Sequence, residues 1–125
     1  MSGPAEGGAA RRRAQARGRR AEALAALYLR CKGYRILARS FRTPVGEIDI
    51  IASRGRTLAM VEVKYRPARE AAAFAITGTQ KRRIERAAGA FLAAHPWLSG
   101  HHVRFDALLL SPGRWPDHVT DAWRS

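Results

Sequence analysis

The sequence predicts an α/β domain built on a mixed sheet, and three features of the chain carry that prediction. A helix-spaced apolar row comes first; three short alternating segments follow; a second helix-spaced row then precedes a further apolar strand. With 125 residues the chain can build one apolar core without disulfide or metal staples, but not two. The expected order is α-β-β-β-α-β(-β), with residues 1–17 as a disordered basic arm and residues 18–125 as the domain.

Gly, Ala and Arg dominate the first 17 residues, which offer nothing to bury. From Gly18 to Lys32, Leu24, Leu27, Tyr28 and Cys31 recur at i, i+3, i+4 and i+7, which predicts a helix with that row as its apolar face and Gly33 as its cap. The segments YRILARSFR, GEIDIIA and TLAMVEVKY then predict an antiparallel meander, with Arg54-Gly55 at the turn of its second hairpin. A loop from Arg66 to about Ile76 leads to Thr77-Gly78-Thr79-Gln80, a capping box that opens a second helix. Its stripe is Ile84, Ala87, Ala88 and Phe91, and Pro96 stops it. VRFDALLL reads as a fourth strand and HVTDAW as a short fifth.

The 23 Lys and Arg against 10 Asp and Glu give a net charge of +13, which suits a polyanion such as nucleic acid better than an acidic membrane surface. Residues 1–20 hold six Arg and one Glu (+5), so residues 21–125 keep 17 basic and 9 acidic groups (+8) and the folded part is basic too. A single cysteine, Cys31, excludes an internal disulfide and a multi-cysteine zinc site; its place in the apolar row predicts burial. No signal-peptide core and no membrane-length apolar run occur, so a cytoplasmic protein without a membrane partner is expected. His95, His101, His102 and His118 lack zinc-site spacing and are expected at the surface or in turns, while Trp97, Trp115 and Trp123 are expected in core or edge packing.

The hairpin carries the chemistry. Alternation sets Glu47 and Asp49 on one face with Ile48 and Ile50 on the other, and likewise Met60, Glu62 and Lys64 opposite Val61 and Val63. An Arg54-Gly55 turn would pair Ile48 with Val61 and Glu47 with Glu62, leaving Asp49 diagonal to Glu62; a bulge would bring the two acids closer. Like charges facing each other across strands cost up to roughly 1 kcal/mol, so something should compensate. One Mg²⁺ shared by the Asp49 and Glu62 carboxylates would do so, with Lys64 on the same side to hold a water or a phosphate oxygen. The plainer account is a set of weak surface pairs on the open face of a hairpin.

GEIDIIA, MVEVKYR, TQKRRIERAAGAFL and RFDALLL, in this order and spacing, resemble the YraN-like family of small bacterial proteins, related to the PD-(D/E)XK nucleases and to Holliday-junction resolvases. The likeness covers residues 18 to 123 and implies a restriction-endonuclease-like sheet flanked by helices. It also implies Asp49 and Glu62 as ligands of Mg²⁺ or Mn²⁺, helped by the Val63 carbonyl and by Glu47 as a further ligand, with Lys64 placing the attacking water. Related resolvases use an acidic residue on the first helix, for which Glu22 is the counterpart. An ordinary first-turn glutamate favoured by the helix dipole explains Glu22 equally well. A homodimer follows by the same analogy.

Lys81, Arg82 and Arg83 crowd the start of the second helix, where cations oppose the dipole unless a phosphate binds; Lys81 also matches a family lysine. Arg66 continues the Glu62 and Lys64 face as a phosphate contact. Solvated basic residues are the bland alternative for all four. Asp106 is read as structural, paired with Arg104. Two functions therefore stand side by side. One is a metal-dependent endonuclease acting on DNA rather than RNA, including branched or irregular DNA; the other is a non-catalytic nucleic-acid-binding module of the same fold.

Overall fold

The computed structural model describes residues 18–67 and 76–124; the expected basic arm and most of the loop before the second helix lie outside them. The expected order holds. Helix α1 (residues 18–31) precedes β1 (Arg35–Thr43), β2 (Gly46–Arg54) and β3 (Thr57–Tyr65), and α2 (Gly78–Ala94) with a 3₁₀ turn (Pro96–Leu98) leads to β4 (His102–Leu110) and β5 (Asp117–Trp123). The sheet order is β1-β2-β3-β4-β5, with only β3 and β4 parallel, because α2 carries the chain back across the sheet between them.

The two helices cover opposite faces. Ala21, Ala25, Ala26 and Leu29 of α1 pack on Ile50, Ala52, Ala59, Val61 and Leu108. Ile84, Ala87, Ala88 and Phe91 of α2, the expected stripe, pack on Ile48, Ile51, Leu58, Met60 and Phe105. The face of α1 is a correction: Leu24 and Leu27 are each 56% exposed and Cys31 is exposed, with Tyr28 only at the core's margin. Small residues explain it, since alanines on α1 meet Ala52 and Ala59 and let helix and sheet approach more closely than leucines would. Tyr34 N–H donates to the Leu29 carbonyl at 3.0 Å and Gly33 takes φ 91, closing α1 as its sequence predicts. Thr77 and Gln80 form the expected capping box on α2, and His95 ends it ahead of Pro96.

The β2-β3 register differs from expectation. Gly55 and Arg56 form the loop, with Gly55 at φ 59, so Arg54 faces Thr57 and Ile50 faces Val61. The slip is two residues, which preserves the face of each side chain along that ladder. Ile48 and Ile50 nevertheless fall in opposite layers, contrary to strict alternation. The break lies at Asp49, opposite Ser40 of β1, whose φ of 50 kinks that strand. Gly46, the first residue of β2, sits so close to the Arg83 carbonyl of α2 that a Cβ would collide with it.

Asp106 is fully buried and is structural, as expected, but its network is wider than one arginine. Arg104 donates to both of its oxygens at 2.8 Å, His118 Nε2 donates at 2.8 Å, and the Asp121 amide donates at 3.0 Å. His118 Nδ1 lies 2.6 Å from Lys32 Nζ, so β5 is tied through this imidazole to the end of α1. The expectation of a surface His118 is thus overturned; with its side chain 1% exposed, it is held between a carboxylate and an ammonium. Burial alone would raise the Asp106 carboxyl, but bonds from His118, Arg104 and the Asp121 amide outweigh it and hold the group below its ordinary value. Trp123 packs on Phe105 as expected of a core residue, whereas Trp97 and Trp115 are 71% and 89% exposed. No helix among the described residues is long and apolar enough to cross a membrane.

Candidate active site

The β2-β3 ladder stops at Ile50 and Val61, and beyond it the strands part. Asp49 and Glu62 are the next residues on the two strands; the register, carried one step further, sets them opposite and not diagonal, and their carboxyls are within hydrogen-bonding reach. The expected Glu47 to Glu62 pairing does not form. Where the ladder would continue, the Val63 amide donates instead to Asp49 Oδ2 at 2.8 Å, a carboxylate taking the place of a strand carbonyl. Lys64 Nζ lies 3.3 Å from Glu62 Oε1, with both side chains largely buried.

Burial, followed by the negative charge of Glu62, pushes the Asp49 carboxyl up to about 7, against the Val63 amide bond; Glu22 adds to the rise and Lys64 opposes it. Glu62 is raised as well, chiefly by burial, although the charge and hydrogen bond of Lys64 and a hydrogen bond with Asp49 pull it down. Both carboxyls are thus held above their ordinary values, Asp49 the more clearly, so ionising the two together is disfavoured.

Asp49 opens into a cavity of about 380 Å³ lined by Gly18, Ala21, Glu22, Asp49, Val63, Lys64, Tyr65 and Arg66, with Glu62 behind this lining. Glu22 reaches this cavity from α1 and accepts a 2.6 Å hydrogen bond from the Ser40 hydroxyl. The β1 kink thus gives the helical carboxylate a fixed partner. Glu47 turns elsewhere: its carboxylate meets Arg83 Nη2 at 2.9 Å, although its charge still reaches Glu62. Among the described residues, no three His, Cys, Asp or Glu side chains are grouped as a ready metal cage.

The cationic start of α2 lies beside the opening of β2, because Arg83 touches both Gly46 and Glu47 there. Of its three basic residues, Arg83 is paired with Glu47 and Lys81 lies 6.0 Å over the Trp123 ring. Among the described residues, Arg82 has a single 3.4 Å side-chain hydrogen bond, to Thr79, and stays exposed. Arg66 is at the cavity and bonds the Tyr65 carbonyl.

Sequence reasoning missed Ser40, Tyr65 and Gly46. A kinked serine leaves no mark in a strand pattern, and strict alternation sets Tyr65 on the Val61 and Val63 face, away from Lys64, although both line the cavity. The glycine of the GEID segment was visible, and only the approach of α2 explains it.

Residues 21–110, which hold Glu22, Asp49, Glu62 and Lys64, match the model of the family described as "Uncharacterised protein family UPF0102". The chain belongs to the UPF0102 family. A UPF0102 protein of Parvibaculum lavamentivorans is 53% identical over 107 residues, covering 86% of this chain and 80% of its own length. One from Methylorubrum extorquens strain PA1 is 50% identical over 123 residues, covering 98% and 96%. A third, from Nitrobacter winogradskyi, is 54% identical over 103 residues, covering 82% and 87%. The UPF0102 match agrees with the YraN-like likeness seen in the motifs.

Proposed function

We propose that this UPF0102 chain is a metal-dependent nuclease of the PD-(D/E)XK kind, with a restriction-endonuclease-like fold, that hydrolyses phosphodiester bonds in DNA, including branched or irregular DNA. The observation that carries the reading is the meeting of Asp49 and Glu62 at the parted ends of β2 and β3, with Lys64 alongside and a cavity in front.

The donor set fits a hard divalent cation. Burial raises both carboxyls, and the charge of Glu62 raises Asp49 further; a cation would offset that cost by holding both groups ionised. Asp49 and Glu62 would hold Mg²⁺ or Mn²⁺, with the Val63 carbonyl as a third protein oxygen and Glu22 behind them. When bound, the ion supplies charge neutralisation at the phosphoryl group and acidifies a bound water. Lys64 orients that water or a phosphate oxygen from its place beside Glu62. Arg66 at the cavity and the exposed Arg82 near the start of α2 supply cationic contacts to the flanking phosphates.

The test is cleavage of linear, flap and four-way DNA substrates with Mg²⁺, Mn²⁺ or EDTA, in wild type, Asp49→Ala and Lys64→Ala. Metal-dependent cleavage lost in both variants, with DNA binding retained, is the expected result. A non-catalytic binding module is the second reading, and two facts favour it: the Val63 amide already occupies one Asp49 oxygen, and no third carboxylate completes a cage among the described residues. On that reading no substrate is cut with any metal, and binding falls with salt but survives EDTA.

A further inference from the structure

The outer face of α1 is apolar where solvent should favour charge. Leu24 and Leu27 are each 56% exposed and Tyr65 is 44% exposed. Arg20, Ala21, Leu24 and Tyr65 line a groove of about 250 Å³, and two of them, Ala21 and Tyr65, also line the carboxylate cavity. The apolar groove and the charged site therefore share a wall. Lys64 and Arg66 border the cavity beside Glu22 and Asp49, and Leu24 and the tyrosine border the groove, so a ligand with a flat apolar end and an anionic end held by the two cations fits both. A nucleotide has that division.

We propose that the groove between Arg20, Leu24 and Tyr65 receives one unpaired nucleobase, stacked on the Tyr65 ring, from the strand whose phosphate lies at Asp49, Glu62 and Lys64. The phosphate's position rests on the nuclease reading above; the base site rests on the groove itself. A base within a duplex keeps both faces covered by its neighbours, so the groove selects single-stranded, flipped-out or junction nucleotides. Arg20 at the groove adds a guanidinium that can lie against a base. The same end of the sheet carries a second open aromatic: Leu110 pairs with Tyr65, and Trp115, 89% exposed, follows in the segment leading to β5. Trp97, 71% exposed, precedes β4 at the opposite end and provides an internal control.

The experiment is fluorescence anisotropy in EDTA, which separates binding from cleavage. The probes are a labelled DNA single strand, its duplex, and a set of strands in which one nucleoside at a time is replaced by an abasic analogue. Wild type should lose about five- to tenfold in affinity at one abasic position. Tyr65→Ala and Leu24→Ala should bind the intact strand more weakly by a similar factor and be indifferent to that position, while Tyr65→Phe and Trp97→Ala behave as wild type. Since both groove side chains are about half exposed, these variants should fold. A flat abasic scan, or an equal loss on duplex and single strand, overturns the proposal. So does a shift in sedimentation from dimer to monomer in either groove variant, because the patch would then be a surface for a second copy. An abasic effect without cleavage of any substrate upholds the base site and removes the nuclease reading; cleavage with a flat scan does the reverse.

Discussion

Replacing Asp49 with asparagine should make the protein more stable at neutral pH, the opposite of the usual result for a change at a buried position. A carboxyl that releases its proton at about 7 in the fold but at 3.8 in the unfolded chain costs the native state about 1.36 kcal/mol per pH unit between those values. The ceiling is about 4 kcal/mol. Below pH 3.8 both states hold the proton and no cost arises. Between 3.8 and about 7 the unfolded chain has released it while the fold retains it, so stability falls as pH rises. Above about 7 the whole cost is present.

Asparagine removes the charge, can still accept from the Val63 amide, and can donate to Glu62. Part of the cost persists, because a buried polar group replaces a buried acid and Lys64 loses one of its two carboxylates. A gain of about 2 kcal/mol, or roughly 8 °C in Tm for a domain of this size, is the expectation at pH 8. Differential scanning fluorimetry from pH 5 to 8 measures it, and the wild-type slope should flatten in the variant. Mg²⁺ should raise the wild-type Tm and leave Asp49→Asn unmoved, since only the intact pair gains a ligand. An Asp49→Asn protein that melts at or below wild type at pH 8, or a wild-type curve flat across that range, refutes the argument.

Gly46→Ala should cost more than about 2 kcal/mol in urea unfolding, because the added methyl meets the Arg83 backbone and α2 must lift from β2; an unchanged midpoint would show that the helix gives way freely. Asp106→Ala should cost about 3 to 5 kcal/mol, leaving the buried Arg104 and His118 side chains without their acceptor. In the wild type this carboxyl titrates below 3.8, so its stabilisation is present above that pH and is lost as pH falls through the lowered value. A shallower acid limb for Asp106→Asn in an acid-unfolding curve checks that sign.

Much of this was legible in the sequence. Ile84, Ala87, Ala88 and Phe91 declared the buried face of α2 because Thr77, Gln80 and Pro96 fixed its ends and its first turns are otherwise polar or charged. The face of α1 was ambiguous for a physical reason: AEALAALYLRC places alanines on one side and leucines on the other, and hydrophobicity alone favours the leucines. Closest approach decided otherwise, and that depends on Ala52 and Ala59, two strands away in sequence. The acid pair was visible as a motif, but its distance was not, because a turn beginning at Gly55 rather than Arg54 moved Asp49 from diagonal to opposite. His118 gave no signal; a histidine beside an aspartate at an edge strand looks the same whether it is solvated or locked between Asp106 and Lys32.

The parallel pairing of β3 with β4 also bears on how the protein is made. Glu62 and Lys64 lie on a strand whose second neighbour is synthesised only after α2, and β4 in turn waits for β5 to deliver His118 and the Asp121 amide to Asp106. On the ribosome, the corner of Asp49, Glu62 and Lys64 stays unfinished until β5 has emerged, so a chain stopped before β5 carries the acids and the lysine without the scaffold that holds them.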